Sequence, residues 1–158
     1  MKLAIASDLS GFPLKDYLTK HLEENHPEIE LLDFGIKSPD NPKPFFEQAG
    51  TVARAIQDET AQLGILVCGT GQGMAIAANK HKGIYAGLVT DPLSSERAKT
   101  INNVNIITMG CWVTAPVMGV QIVESWLTVK FTDKMDSKRA FIIEAFNQIQ
   151  KIENQQFK

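Results

Sequence analysis

Positions 66–80 read Leu-Val-Cys-Gly-Thr-Gly-Gln-Gly-Met-Ala-Ile-Ala-Ala-Asn-Lys. Apolar residues end at Cys68, Gly69, Gly71 and Gly73 follow, and Met74–Ala78 has helical character. Three kinds of chemistry suit such a stretch. A dinucleotide site would use Gly69-x-Gly71, with Asp91 at about the distance, roughly 20 residues, at which an acidic residue meets a ribose. The third glycine of that pattern falls at position 74, which is Met. A purely structural reading needs only a tight turn and close helix packing from the glycines, with Cys68 as a small buried hydrophobe. A catalytic reading puts Cys68 at the end of a strand, facing the amino terminus of the next helix. Unpaired amides and the helix dipole favour negative charge there, so the thiol is a ready base or nucleophile. The amides of Gly69, Thr70, Gly71, Gln72 and Gly73 would hold an oxyanion. Proton abstraction beside a carbonyl, with an enediolate to stabilise, is the reaction that fits.

Placing Cys68 at a strand tip requires alternating strands and helices, and the apolar pattern supplies them. Strands are expected at Leu3–Ser7, Ile29–Phe34, Leu63–Val67, Ile84–Val89 and Asn105–Met109. Helices are expected at Gly11–His21, Phe45–Gln57, Gly71–Lys80, Asp91 to about Asn102, Ala115 to about Val129 and Asp136 to about Asn154. Asp91-Pro92 is a good helix start, with Asp91 as cap and Pro92 in the first turn. Lys37–Pro44, with its three prolines, is a loop. The expected fold is α/β: a three-layer, Rossmann-like, five-stranded parallel sheet with helices on both faces, in one domain over residues 1–158. Ligands of such sheets bind at the carboxyl ends of the strands, where Asp8, Cys68 and Asp91 fall. Asn102 and Asn103 follow a helix, so they belong to the opposite end unless a neighbouring subunit brings them to the cleft. The apolar face of the helix at 136–154 suits its own domain or a partner subunit equally.

Composition narrows the function. A net charge of −2 over 158 residues, with no basic run, gives no electrostatic reason to expect nucleic acid. No apolar stretch is long enough for a bilayer. The first residues read as a strand rather than a secretory signal, so Cys68 and Cys111 are expected as free thiols in a reducing cytoplasm. His21, His26 and His81 sit in charged, exposed-looking segments, and no spacing among them suggests a metal site.

The runs "IASDLSGFPLK", "CGTGQGMAIAANK", "GIYAGLVTDPLSSERAKTINNVNIITMG" and "VESWL" resemble the family of ribose-5-phosphate isomerase B and galactose-6-phosphate isomerase over roughly positions 1–150. The resemblance implies an aldose–ketose isomerase without metal, nucleotide or other cofactor, acting on a sugar or sugar phosphate. It implies that Cys68 moves a proton between C1 and C2 and that the 69–73 loop, Thr70 included, holds the enediolate oxygens. Asp8 would touch sugar hydroxyls, Asn102 would reach substrate from a partner subunit, and Arg139 would hold phosphate. It also implies a homodimer or homotetramer with shared sites. From residue type alone, Asp8 serves equally as a helix cap and Arg139 as a solvated surface residue. Trp112 and Cys111 read as packing residues.

Departures from the family pattern are specific. Leu9 and Ile101 stand where histidines are usual, the second being the one credited with ring opening. Trp112 and Met135 stand in place of arginines, and Lys43 in place of a tyrosine. A substrate that needs no ring opening, such as a four-carbon sugar phosphate, is therefore expected. Phosphate binding is expected to be rebuilt on Lys43, Lys134, Lys138 or Arg97, or replaced by a stacking face at Trp112. A non-catalytic sugar-binding paralogue, or one subunit of a hetero-oligomeric isomerase, is the alternative.

Overall fold

The computed structural model describes residues 1–157. The strands are β1 (Lys2–Ser7), β2 (Glu30–Asp33), β3 (Leu63–Cys68), β4 (Ala86–Leu88) and β5 (Ile106–Gly110). The helices are α1 (Phe12–Asn25), α2 (Phe45–Gln57), α3 (Gln72–Ala78), α4 (Pro92–Asn102), α5 (Pro116–Leu127) and α6 (Arg139–Gln156), the last preceded by a 3-10 turn at Asp136–Lys138. All strands are parallel, in the order β2-β1-β3-β5-β4. The chain leaves β1 in one direction to make β2 and in the other to make β3. The crevice beyond the carboxyl ends of β1 and β3 is thus a point of reversal, where open parallel sheets bind ligands.

Period-two alternation sorts the strand residues between two helical layers. Leu3, Ile5, Ile65, Val67, Ile107 and Met109 pack with Leu14, Leu18 and Leu22 of α1, Ala98 of α4 and Ile122, Val123 and Trp126 of α5. Ala4, Ala6, Leu66, Cys68 and Ile106 pack with Ala49, Val52 and Ala53 of α2 and Met74 and Ala78 of α3. Small residues dominate the second face, so α2 lies close to the sheet. A Cβ on Gly64 would stand 2.6 Å from Val52 Cγ1.

Several elements differ in their bounds from the sequence expectation: β2 is confined to Glu30–Asp33 and α6 begins at Arg139. Helix α1 runs on to Asn25, where the His26 amide donates to the Leu22 carbonyl and closes the end. Strand β4 is shorter, because Ile84 is taken up in a turn on His81 and the Asn79 side chain clamps Ala86 through both its amide and its carbonyl. Helix α3 stops at Ala78, before Lys80 and His81. The last helix makes contacts within its own chain: Phe146 meets Tyr85 edge-on and Phe131 at a tilt, Ile142 is buried, and Glu153 accepts from Gly83 N–H and Tyr85 O–H. Burial and the bond to Glu153 push the Tyr85 hydroxyl up to about 12. Phe141, Ile149 and Ile152 stay exposed on α6. Among the described residues no helix is long and apolar enough to cross a membrane.

Candidate active site

Strand β3 delivers Cys68 to the crevice with its side chain 6 % exposed, and Sγ accepts the Gly71 N–H at 3.1 Å. That bond exists because Gly71 takes φ +80°, a left-handed conformation natural to glycine, which turns its amide back toward the thiol. Helix α3 has no side-chain cap, so the amides of its first turn, at Gln72 and Gly73, lack intrahelical partners. The loop is held from beneath by the next strand connection. Cys111 N–H donates to the Cys68 carbonyl at 2.8 Å and Trp112 N–H to the Gly69 carbonyl at 3.0 Å. Gly110 permits this approach, since a Cβ there would stand 2.6 Å from Thr70 Cα.

Asp8 reaches the same place through α1. Its Oδ1 accepts the Gly11 N–H at 2.9 Å, and Gly11 lies against the tip of β3, where a Cβ would fall 2.2 Å from the Val67 carbonyl oxygen and 2.8 Å from Cys68 N. The N-cap of α1 is Gly11 and the helix has no side-chain cap, so Asp8 is not the helix cap its type suggested; it braces the turn before the helix with Oδ1 alone. Two aromatic rings flank the loop. A Cβ on Gly69 would meet the Trp112 ring at 2.9 Å, and one on Gly73 would meet the Phe45 ring at 2.9 Å. Trp112 is 71 % exposed, so it is a rim residue and not the packing residue its type suggested. The contact of Phe45 with the loop was missed from sequence, where that residue marked only a helix start.

Asp91 spends its carboxylate on α4. It accepts the Ser94 N–H at 2.8 Å, and Ser94 Oγ completes a capping box. Hydrogen bonds from Ser94 hold the Asp91 carboxyl below its ordinary range. The acidic group that a dinucleotide reading would need is thereby occupied. Thr70 and Gln72 are exposed on the loop. Lys43 and Arg139 are exposed and make no ion pair among the described residues. Arg97 and Lys134, by contrast, both pair with Glu96.

Asn102 ends α4, away from the thiol. It lines a cavity of about 520 Å³ along β4 with Tyr85, Leu88, Arg97 and Ile149. Leu88 is the wall between that cavity and the loop, its Cδ1 lying 2.6 Å from where a Cβ on Gly71 would stand. His21 and His26, scattered by the sequence reading, meet instead on Glu124 of α5.

A buried thiol and a carboxylate gathered beside backbone donors at the carboxyl edge of an α/β sheet define a class of site, a polar crevice for a small ligand. The particular family follows from comparison. The Ribose/Galactose Isomerase family model matches residues 3–143. The "4-deoxy-4-sulfo-D-erythrose isomerase" of Clostridium sp. (strain MSTE9) is 42% identical over 139 residues, 88% of this chain and 86% of that protein. The "D-erythrulose-4-phosphate isomerase" of Pectobacterium atrosepticum is 36% identical over 132 residues, 83% of this chain and 85% of that protein. The structure of ribose-5-phosphate isomerase B from Clostridium thermocellum superposes with a TM-score of 0.88 at 29% identity, covering 98% of this chain and 99% of that one. This chain belongs to the ribose/galactose isomerase family, and it is an isomerase.

Proposed function

We propose that this isomerase, as a single domain over residues 1–158, interconverts the aldose and ketose forms of a four-carbon sugar carrying a terminal phosphate or sulfonate, through an enediolate. The observation that carries the reading is the Cys68 Sγ–Gly71 N–H contact at 3.1 Å, which joins the base to the loop that receives the developing anion. Cys68 as thiolate takes the proton from C2 of the aldose and returns it to C1, while the proton on O2 passes to O1. Thr70 and the loop amides of Gly69, Gln72 and Gly73 hold O1 and O2, where negative charge gathers, while the Gly71 amide holds the sulfur. Asp8 Oδ2 accepts from a sugar hydroxyl.

Chain length follows from chemistry. A tetrose whose C4 carries phosphate or sulfonate has no free 4-hydroxyl and cannot close a five-membered ring, so no ring-opening group is required. Ile101, 37 % exposed, supplies none. The names of the two relatives, each a four-carbon isomerase, support the same size. Lys43 and Arg139, with Lys138, remain for the terminal anion, whereas Arg97 and Lys134 are engaged by Glu96. Trp112 lies over Gly69 as an apolar wall limiting the substrate's reach. Asn102 would enter the site of a neighbouring copy, in a cytoplasmic homodimer or homotetramer with shared sites.

A panel of tetrose, pentose and hexose phosphates and a tetrose sulfonate in deuterated water tests this. Label should enter C1 or C2 of the terminally charged tetroses. Turnover of ribose 5-phosphate matching or exceeding that of the tetroses would overturn the assignment of size. Turnover only after a second, different chain is added would make this protein one subunit of a mixed enzyme.

A further inference from the structure

The amino edge of the sheet carries a second cluster that the isomerase cleft does not use. His21 lies in the last turns of α1, His26 just beyond its end, and Glu124 on α5. His21 Nε2 and His26 Nε2 each stand 2.7 Å from the same atom, Glu124 Oε1. One donor atom from each residue lies within 4.8 Å of the other two, and the side chains are 23, 20 and 33 % exposed. Behind them, Glu28 Oε1 is 3.0 Å from His26 Nδ1 and the Asn25 amide 3.2 Å from His21 Nδ1.

We propose that His21, His26 and Glu124 form a binding site for a first-row divalent ion, Zn²⁺ above all. Two imidazole nitrogens and one carboxylate oxygen are a borderline donor set, suited to zinc and unsuited to calcium or magnesium. Three protein donors leave a fourth position for water on the solvent side. Glu28 occupies the place of the outer carboxylate that orients a ligating imidazole and raises its basicity. Tetrahedral zinc, with bonds of about 2.0–2.1 Å, needs donor atoms about 3.3 Å apart, so each imidazole nitrogen, now 2.7 Å from Glu124 Oε1, draws back from it slightly to admit the ion. The ion ties α5 to the end of α1, joining residues 98 apart in sequence. Helix α1, 14 residues and so about 21 Å long, separates this site from the cleft at Gly11. The ion is a staple and takes no part in the proton transfer. Its binding weakens in acid, because an imidazolium has no lone pair to give.

The test is titration of the metal-free, full-length chain at neutral pH with CoCl₂ and, separately, ZnCl₂. One Co²⁺ per chain with a tetrahedral visible spectrum is expected, without the intense near-ultraviolet band of a thiolate ligand. Zn²⁺ should raise the thermal midpoint. Glu28→Gln should weaken binding about 10- to 100-fold. Glu124→Gln and His26→Gln should lose more, with unchanged far-ultraviolet dichroism. A Cys68→Ser/Cys111→Ser variant should bind as the parent does. The site is refuted by absence of stoichiometric binding in the parent, by a thiolate band, or by equal affinity in Glu124→Gln and the parent. If either ligand variant fails to fold, Glu28→Gln decides, and unchanged affinity there refutes the site.

Discussion

Helices α3 and α4 leave the same edge of the sheet, and their first turns are built in opposite ways. Asp91 closes α4: its carboxylate takes the Ser94 amide, and the Ser94 hydroxyl answers the Asp91 backbone. Gly71 opens α3 with a left-handed residue and no side-chain cap, and its amide is turned onto the Cys68 sulfur. A helix end that satisfies itself has nothing to offer a ligand. One that leaves its donors unspent is less stable alone and receptive to an anion. The other strand tips fall along the same scale. Asp33 at the end of β2 is committed to Lys15 and Lys37, whereas Asp8 at the end of β1 gives one oxygen to Gly11 and keeps the other.

Substitutions at these ends sharpen the contrast. If Cys68 is the base, as proposed, Cys68→Ser should lower kcat about 10²- to 10⁴-fold. Deuterium incorporation into substrate is the measurement, and undiminished labelling would break the account. Gly71→Ala comes next. Its φ of +80° and a Cβ 2.6 Å from Leu88 Cδ1 and 2.9 Å from the Met109 carbonyl carbon force the loop to move. The left-handed residue costs about 1–2 kcal/mol, and on the proposed reading a loop displaced from the sulfur and the anion should lower kcat/KM about 100-fold. Asp91→Ala should do the reverse. It should lose about 1 kcal/mol of unfolding free energy with the cap and leave kcat/KM unchanged, read from urea melts beside steady-state rates.

The smallest effect belongs to Lys37. Burial pushes the Asp33 carboxyl up, but hydrogen bonds from Lys15 and Lys37 outweigh it and leave the group below its usual 3.8. A depressed carboxylate stabilises the fold fully above that value and ceases to as pH falls through its lower folded value. Lys37→Ala returns Asp33 toward 3.8 and should make the acid limb of stability against pH shallower, with a change below about 1 kcal/mol because Lys37 is exposed. Urea midpoints followed from neutral pH into acid would show it.

The layered sheet was legible because its strands are nearly continuous apolar runs and its helices carry one apolar face each, a contrast that survives in a single sequence. The bounds of β4 were not, since Ile84–Val89 is apolar throughout and the turn that claims Ile84 depends on His81. Cys68 and the glycines stood out by spacing. Their closeness to Asp8 depends on Gly11 meeting the β3 backbone, a contact between segments that no local pattern encodes. Trp112 misleads by type: large and apolar, it reads as interior, yet the turn after Gly110 leaves it on the rim. His21, His26 and Glu124 are still less readable, because the partner that joins the histidines lies about a hundred residues away.

The clamp of Asn79 on Ala86 bears on how two copies of this chain can meet. Strand β4 is an outer strand, the kind on which a foreign strand would add. The outward amide and carbonyl of Ala86 are already bonded by a side-chain amide, so this residue offers no backbone group to a foreign strand. A second copy of the chain approaching at Ala86 would find that residue's backbone groups occupied and would have to make its contacts there through side chains.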